Sequence, residues 1–277
     1  MTSKKWNRFS AETEQRLFVA IDEDDIADEH VSLPPVIDLH CTEENIRCNY
    51  GLCLQYWEDG FTRTELLRLV LKQLKNGKLS KQERQQYKYI RSRYKHLRFA
   101  LRLYSKKHES RLWFSKTTVF LGRFQDAFKN DKKDVIAFYG KLLRVYLSLP
   151  VWALVHYSLR HIKLDSVTDF IHYRQQQMRE LQTLLVKPQL TGREFHDVRK
   201  IISQQVSYYD TLRSIDPANH EAHQVSRYLA AINGIMGDRH DDMVADDLAG
   251  VKSYSEPTEL DSDLRQRLEL LLARFPL

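Results

Sequence analysis

Glycine and proline are scarce in this chain, nine and seven among 277 residues. That scarcity argues against a fold built from tight turns. With long runs of Leu, Arg, Lys, Gln, Glu and Tyr at helical spacing it points to an all-α body. Cysteine is nearly absent too. Cys41, Cys48 and Cys53 all lie in the N-terminal part, and an odd count of three excludes a simple disulfide framework and suggests reduced thiols. His40 stands beside them, but no CxxC pair gives them zinc-ligand spacing, so no metal is expected there. The N-terminus, MTSKKWNRFSAETEQRL, holds no apolar run of secretory-signal type. The most apolar window, 145–159, is interrupted by Pro150 and too short to span a bilayer. A cytoplasmic protein with no membrane partner is expected. Glycine-rich phosphate loops, GxSxG and HExxH are all missing, and His220-Glu221-Ala222-His223 has the wrong spacing for the last. These gaps leave no catalytic motif, and no enzyme activity or cofactor is expected.

What the chain does have is charge, unevenly placed. Residues 1–60 carry 5 Lys+Arg against 13 Asp+Glu, residues 61–160 carry 24 against 6, and residues 161–277 carry 14 against 18. The net +6 is therefore the property of one block of +18, and so concentrated a field attracts a strongly anionic partner.

Within that block, Lys81, Arg84, Lys88, Arg91, Lys95, Arg98 and Arg102 recur at alternating steps of three and four. They form one line along about 31 Å of a single helix. Like charges at these spacings repel by roughly 0.2–0.5 kcal/mol per pair. The only acid in the stretch, Glu83, is off the line. Such a row suits a linear polyanion. A second stripe, Tyr87, Ile90, Tyr94, Leu97, Leu101 and Tyr104, repeats one residue out of phase and reads as the core-facing side of the same helix.

From Thr62 onward the pattern predicts helices over 62–76, 80–107, 109–129, 132–148, 151–163, 166–186, 192–214, 218–236, 239–250 and 257–274. Pro150, Pro217 and Pro257 suit first turns, and Gly77 and Gly237 suit stops. Residues 1–60 read instead as an acidic appendage with possible short strands at 17–21, 36–39 and 52–57. In it, Asp22, Glu23, Asp24, Asp25, Asp28 and Glu29 place six carboxylates within eight residues. That run is a candidate internal competitor for the basic block.

A shift of 108 residues brings Lys88 onto His196, Arg91 onto Arg199, Leu101 onto Tyr209, Leu121 onto Leu229 and Phe124 onto Ile232. The repeat predicts two pseudo-twofold-related four-helix halves, about 62–148 and 166–275, with 80–107 and 192–214 lining a basic central groove. Within the second half His196, Arg199 and Lys200 are the candidate anion contacts.

The run Arg91-Ser92-Arg93-Tyr94-Lys95-His96-Leu97-Arg98, the element His196-Asp197-Val198-Arg199-Lys200 and the turn-like Met236-Gly237-Asp238-Arg239-His240-Asp241 resemble the motifs of the CHAD family, the conserved-histidine α-helical domains. The resemblance covers 62–275. It implies two four-helix repeats around a basic channel that binds inorganic polyphosphate without catalysis, with 236–241 ending a helix. The chain departs from the family pattern where Lys88 replaces the first histidine, and where Ser203, Gln204 and Val206 stand in place of further cations.

Other readings of the same residues are nucleic-acid binding through the stripe, a scaffold for an acidic protein, and an HD-type metal phosphohydrolase using His196-Asp197 and His240-Asp241. No nucleic-acid motif or clear exposed aromatic platform supports the first. The last lacks a convincing earlier histidine and later aspartate.

Overall fold

The computed structural model describes residues 6–23 and 30–277. These form eleven helices and one two-residue strand pair, so the all-α expectation holds. In order the helices are α1 Ala11–Asp22, α2 Glu43–Glu58, α3 Thr64–Asn76, α4 Lys81–Tyr104, α5 Leu112–Lys129, α6 Lys133–Tyr146, α7 Leu149–Arg160, α8 Val167–Leu185, α9 Gly192–Ile215, α10 His220–Ala249 and α11 Ser262–Arg274. Strands β1 Gln189–Leu190 and β2 Thr258–Glu259 pair antiparallel. The chain divides into two compact units, Met1–Phe9 with Tyr50–Asp165 and Ser10–Asn49 with Ser166–Leu277.

The possible strands of the N-terminal segment do not form. Residues 17–21 lie in α1 and 52–57 in α2, while 36–39 are irregular. Short β-branched and aromatic runs read as strands in isolation, but here 17–21 belong to an amphipathic helix and 52–57 to a helical stretch buried all round. Ser10 caps α1 by accepting a hydrogen bond from the Thr13 amide. Leu17 and Ala20 then point into the core of the second unit. Of the acidic run, Asp24, Asp25, Asp28 and Glu29 lie outside the described residues. Glu23 sits 3.5 Å from Arg213 and 3.4 Å from Arg227, both of the second unit and neither in the basic block.

In the first unit the core is aromatic. Trp57 of α2 is fully buried. It stacks on Trp152 of α7 at 4.6 Å and meets Tyr94 and Phe114 edge-on at 5.8 and 5.7 Å. The out-of-phase stripe of α4 is core, as its phase predicts: all six of its members are buried. Tyr87 donates to the Leu121 carbonyl at 3.0 Å and Tyr94 to the Thr62 carbonyl at 2.8 Å, so these two buried hydroxyls are satisfied. Arg93, which sits within the basic motif but off the line, turns inward. Its guanidinium lies 3.9 Å over the Tyr56 ring and donates to the Tyr56 carbonyl. It occupies space that only a glycine at position 60 leaves open.

In the second unit α9 is the central helix, with every residue from 201 to 211 buried. This explains why Ser203, Gln204 and Val206 are not cations: beyond Lys200 the helix has no solvent-facing side on which to carry them.

One expected helix end is absent. The helices predicted over 218–236 and 239–250 are one continuous α10, and Gly237 lies in its interior. The real stop is Gly250, whose φ of 69° is the left-handed conformation of a helix C-terminus. The stretch 236–241 is therefore a helical turn and not a loop, and His240-Asp241 neither ends nor caps a helix. Pro217 and Pro257 precede the helices they were expected to open, because Asn219 and Asp261 supply the caps.

Candidate functional site

Helices α4 and α9 start in the same way. Ser80 and Thr191 each accept from an amide three residues on, and Glu83 and Glu194 each return the bond to the cap amide. Both helices are 24 residues long and open on such a reciprocal cap, a device worth on the order of 1 kcal/mol. Each glutamate also holds a cation. Glu83 meets Lys72 at 2.6 Å and Arg68 at 3.3 Å, and Glu194 meets Lys187 at 2.5 Å. The one acid in the basic stretch is thereby engaged by α3 and leaves the row of α4 without it.

That row is graded. Lys81, Arg84, Lys88 and Lys95 are exposed, whereas Arg91, Arg98 and Arg102 are half-buried. A repeat of 3.5 residues on a helix of 3.6 per turn drifts by about 20° per heptad, so the C-terminal members of the line slide toward the buried face. Arg91 lies against α5, its guanidinium 3.4 Å from where a Cβ on Gly122 would be. The Nε of Arg98 is buried with no hydrogen-bond acceptor among the described residues. Burial, reinforced by Arg102, pulls the Arg98 pKa down. Among the described residues Lys81, Arg84, Lys88, Arg91, Arg98 and Arg102 form no ion pair, and Lys95 stands 5.7 Å over the Phe99 ring. Half-buried cations without counter-charges are costly, and an anion along the row would relieve that cost.

The second unit brings His196, Arg199 and Lys200 together at the start of α9, beside the middle of α10. The His196 and His240 rings are 5.2 Å apart. His240 Nε2 is 3.0 Å from the Tyr254 hydroxyl, and Tyr254 packs over Gly192, which has no side chain to obstruct it. The Arg199 guanidinium reaches within 3.1 Å of the Cβ position of Gly237. A glycine in mid-helix is thus the seat of an arginine, as at Gly122 under Arg91. The glycine follows its arginine by 31 residues in the first unit and by 38 in the second. The helix pairs therefore differ in register by seven residues, about two turns, whereas the gapless 108-residue shift places seven of the eight buried residues of α5 on buried residues of α10, Ala127 falling on Ile235, which is not buried. Lys200 pairs with Asp197 at 2.8 Å, and His196 Nδ1 is buried without a hydrogen-bond partner among the described residues. The geometry offers an anion two imidazoles and a guanidinium. It does not offer a metal the HD arrangement, since no group of three or more His, Cys, Asp or Glu is placed to hold one among the described residues.

Burial first, and the neighbouring cations after it, favour the neutral form of these histidines. Burial first, then Lys200, His240 and Arg199, takes the His196 pKa down to about 4. Burial and Arg199 lower that of His240. Burial takes His96, on a core-facing side of α4, to about 3. An unfolded histidine titrates near 6.5, so between that value and about 3 the unfolded chain binds more protons and stability falls with pH. Glu83 and Glu194, held down to about 2 chiefly by Lys72 and Lys187, lose their contribution further down. Thermal melts are expected to show the midpoint falling steadily as pH drops below 6.5. A midpoint that stayed level down to about 4 would contradict the buried-neutral histidines.

No protein-family model matches the chain, and neither a curated protein nor a solved structure matches it significantly.

Proposed function

We propose that the chain is a non-catalytic polyanion-binding protein of CHAD type whose ligand is inorganic polyphosphate, contacted by Lys81, Arg84, Lys88, Arg91, Lys95, Arg98 and Arg102 of α4, with His196, Arg199 and Lys200 as anion contacts of the second unit. The observation that carries this reading is a cationic row with six members lacking any ion pair among the described residues, one of them with a buried Nε that has no acceptor. Polyphosphate carries one charge per phosphate and no base edges, so its recognition requires only cations spaced along a rigid element. Arginine supplies forked donors to two oxygens and lysine a mobile point charge. The motif resemblance supports the same ligand, and Arg91 and Arg199 occupy matching seats over glycines in the two units.

The test is titration of the full chain with long-chain polyphosphate at several salt concentrations, with double-stranded DNA as competitor. Tight binding that weakens steeply with salt, and that DNA displaces poorly, is expected. DNA binding of equal or greater strength would make this a nucleic-acid protein. Binding of neither would point to an acidic protein partner.

A further inference from the structure

Helix α6 is apolar on two opposite faces. Ile136, Gly140 and Leu143 are buried, and Gly140 admits Leu74 of α3 at a distance no side chain would allow. On the far side Val135, Phe138, Leu142 and Val145 repeat at steps of three, four and three. Phe138 is 59% and Val145 56% exposed, and on the following helix α7 Leu149 and Leu154 are 66% and 54% exposed. Beside this stripe runs a ladder of aromatic rings. Trp113 and Phe120 of α5 each lie 5.0 Å from Tyr146, and Tyr139 is 5.7 Å from Phe120 and 5.1 Å from Phe138. Along the α5 edge cations alternate with rings in the order Trp113, Lys116, Phe120, Arg123. An exposed apolar surface this extensive is not an ordinary solvent face.

Charge identifies the occupant. From Val135 to Arg160 there is no acidic residue. Lys116, Arg123, Lys132, Lys141 and Arg144 around the face form no ion pair among the described residues, and against them the nearby acids in sequence are Asp126, Asp131 and Asp134. A second copy of the chain docked by a twofold axis would set these cations against themselves. An anionic bilayer surface complements both properties, since aliphatic side chains enter the acyl boundary, rings sit at headgroup depth and Lys and Arg meet phosphate. Together α6 and α7 carry the apolar content of a membrane-crossing segment, but they turn through 66° between them, and no single helix among the described residues is long and apolar enough to cross. The geometry is that of a face lying on a membrane. We propose that the α5–α7 face of the first unit docks on anionic phospholipid.

The full chain is tested by flotation with phosphatidylcholine vesicles with and without phosphatidylserine. The comparison variant replaces the exposed Phe138, Val145 and Leu149 by serine. Flotation only with the phosphatidylserine vesicles is expected, weakened roughly tenfold or more in the serine variant, with its melting midpoint and polyphosphate binding retained. Brominated acyl chains should quench the exposed Trp113 and, more weakly, the half-buried Trp152 of α7, since Trp6 and Trp57 are buried. Undiminished flotation of the serine variant, with loss on reversing Lys88 and Lys95, would overturn the proposal by assigning the lipid to the α4 row. So would absence of flotation, including the case in which the wild-type chain is dimeric without lipid and the serine variant monomeric.

Discussion

Replacing Lys88 and Lys95 together by glutamate is expected to weaken polyphosphate binding by roughly 10³-fold while raising the melting midpoint by a few degrees. The two effects have one origin. Both residues are exposed, so the fold does not depend on them for packing. In the row they repel neighbours at i±3 and i±4. As glutamates they would face Arg84, Arg91 and Arg98 across the same spacings and convert repulsion into attraction, worth about 0.2–0.5 kcal/mol per pair. The ligand meets the opposite change. A Lys or Arg against an anionic surface contributes about 1 kcal/mol, and reversal counts twice per site, giving about 4 kcal/mol or three decades in affinity. Calorimetric titration and a thermal melt of the same preparation check both signs. Unchanged affinity would remove α4 from the site, and a lowered midpoint would show that Lys88 or Lys95 is structural.

Arg174→Ala is expected to destabilise the second unit by about 3–5 kcal/mol, which lowers the midpoint by on the order of 10 °C. Arg174 is fully buried on α8. Its Nε and Nη2 donate to Gln205 Oε1 at 3.1 and 3.0 Å, Nη2 also donates to the Tyr209 hydroxyl at 3.0 Å, and the guanidinium lies 4.0 Å over the Tyr208 ring. An amide, a hydroxyl and ring faces thus receive the cation in the core. Alanine would leave a cavity and strip a donor from Gln205 and Tyr209 at once. Lysine would keep the charge but lose the fork, so Arg174→Lys should fall between. Methionine, which fills the volume without a charge, should cost less than alanine. Denaturant melts of the three variants test that order, and an alanine variant as stable as the parent would refute it.

The most legible part of the molecule in its sequence was α4. Its two stripes are local, their period is that of one helix, and Ser80 with Glu83 marks its start. The same logic placed α3, α5, α6 and α8 within a few residues. It failed where meaning depended on a distant partner. Gly237 reads as a stop until Arg199 is seen across it. Residues 52–57 read as a strand until Trp57 is seen at the centre of an aromatic cluster. Arg93 reads as one more cation of a basic motif until Gly60 is seen to admit it. The candidate site divides in the same way. The row could be counted from spacing alone, but the burial along it, the absence of ion pairs for six members among the described residues and the buried Nε of Arg98 appear only after folding. The aromatic ladder was invisible because its rings come from α5 and α6 at sequence positions that share no simple period.

The division of α2 between the two units bears on how the chain is made. Residues 10–49 pack with 166–277, and 50–165 separate the two. As the polypeptide leaves a ribosome, Leu17, Ile37 and Ile46, all buried in the finished unit, have no partners until well over a hundred further residues have emerged. At about 5–20 residues per second those side chains stay uncovered for roughly ten seconds, a window in which a holding chaperone has a defined apolar target. The interrupted order also constrains engineering. A cut after residue 60 takes Trp57 from one core and Leu17 from the other, so shortening the chain from the front dismantles both.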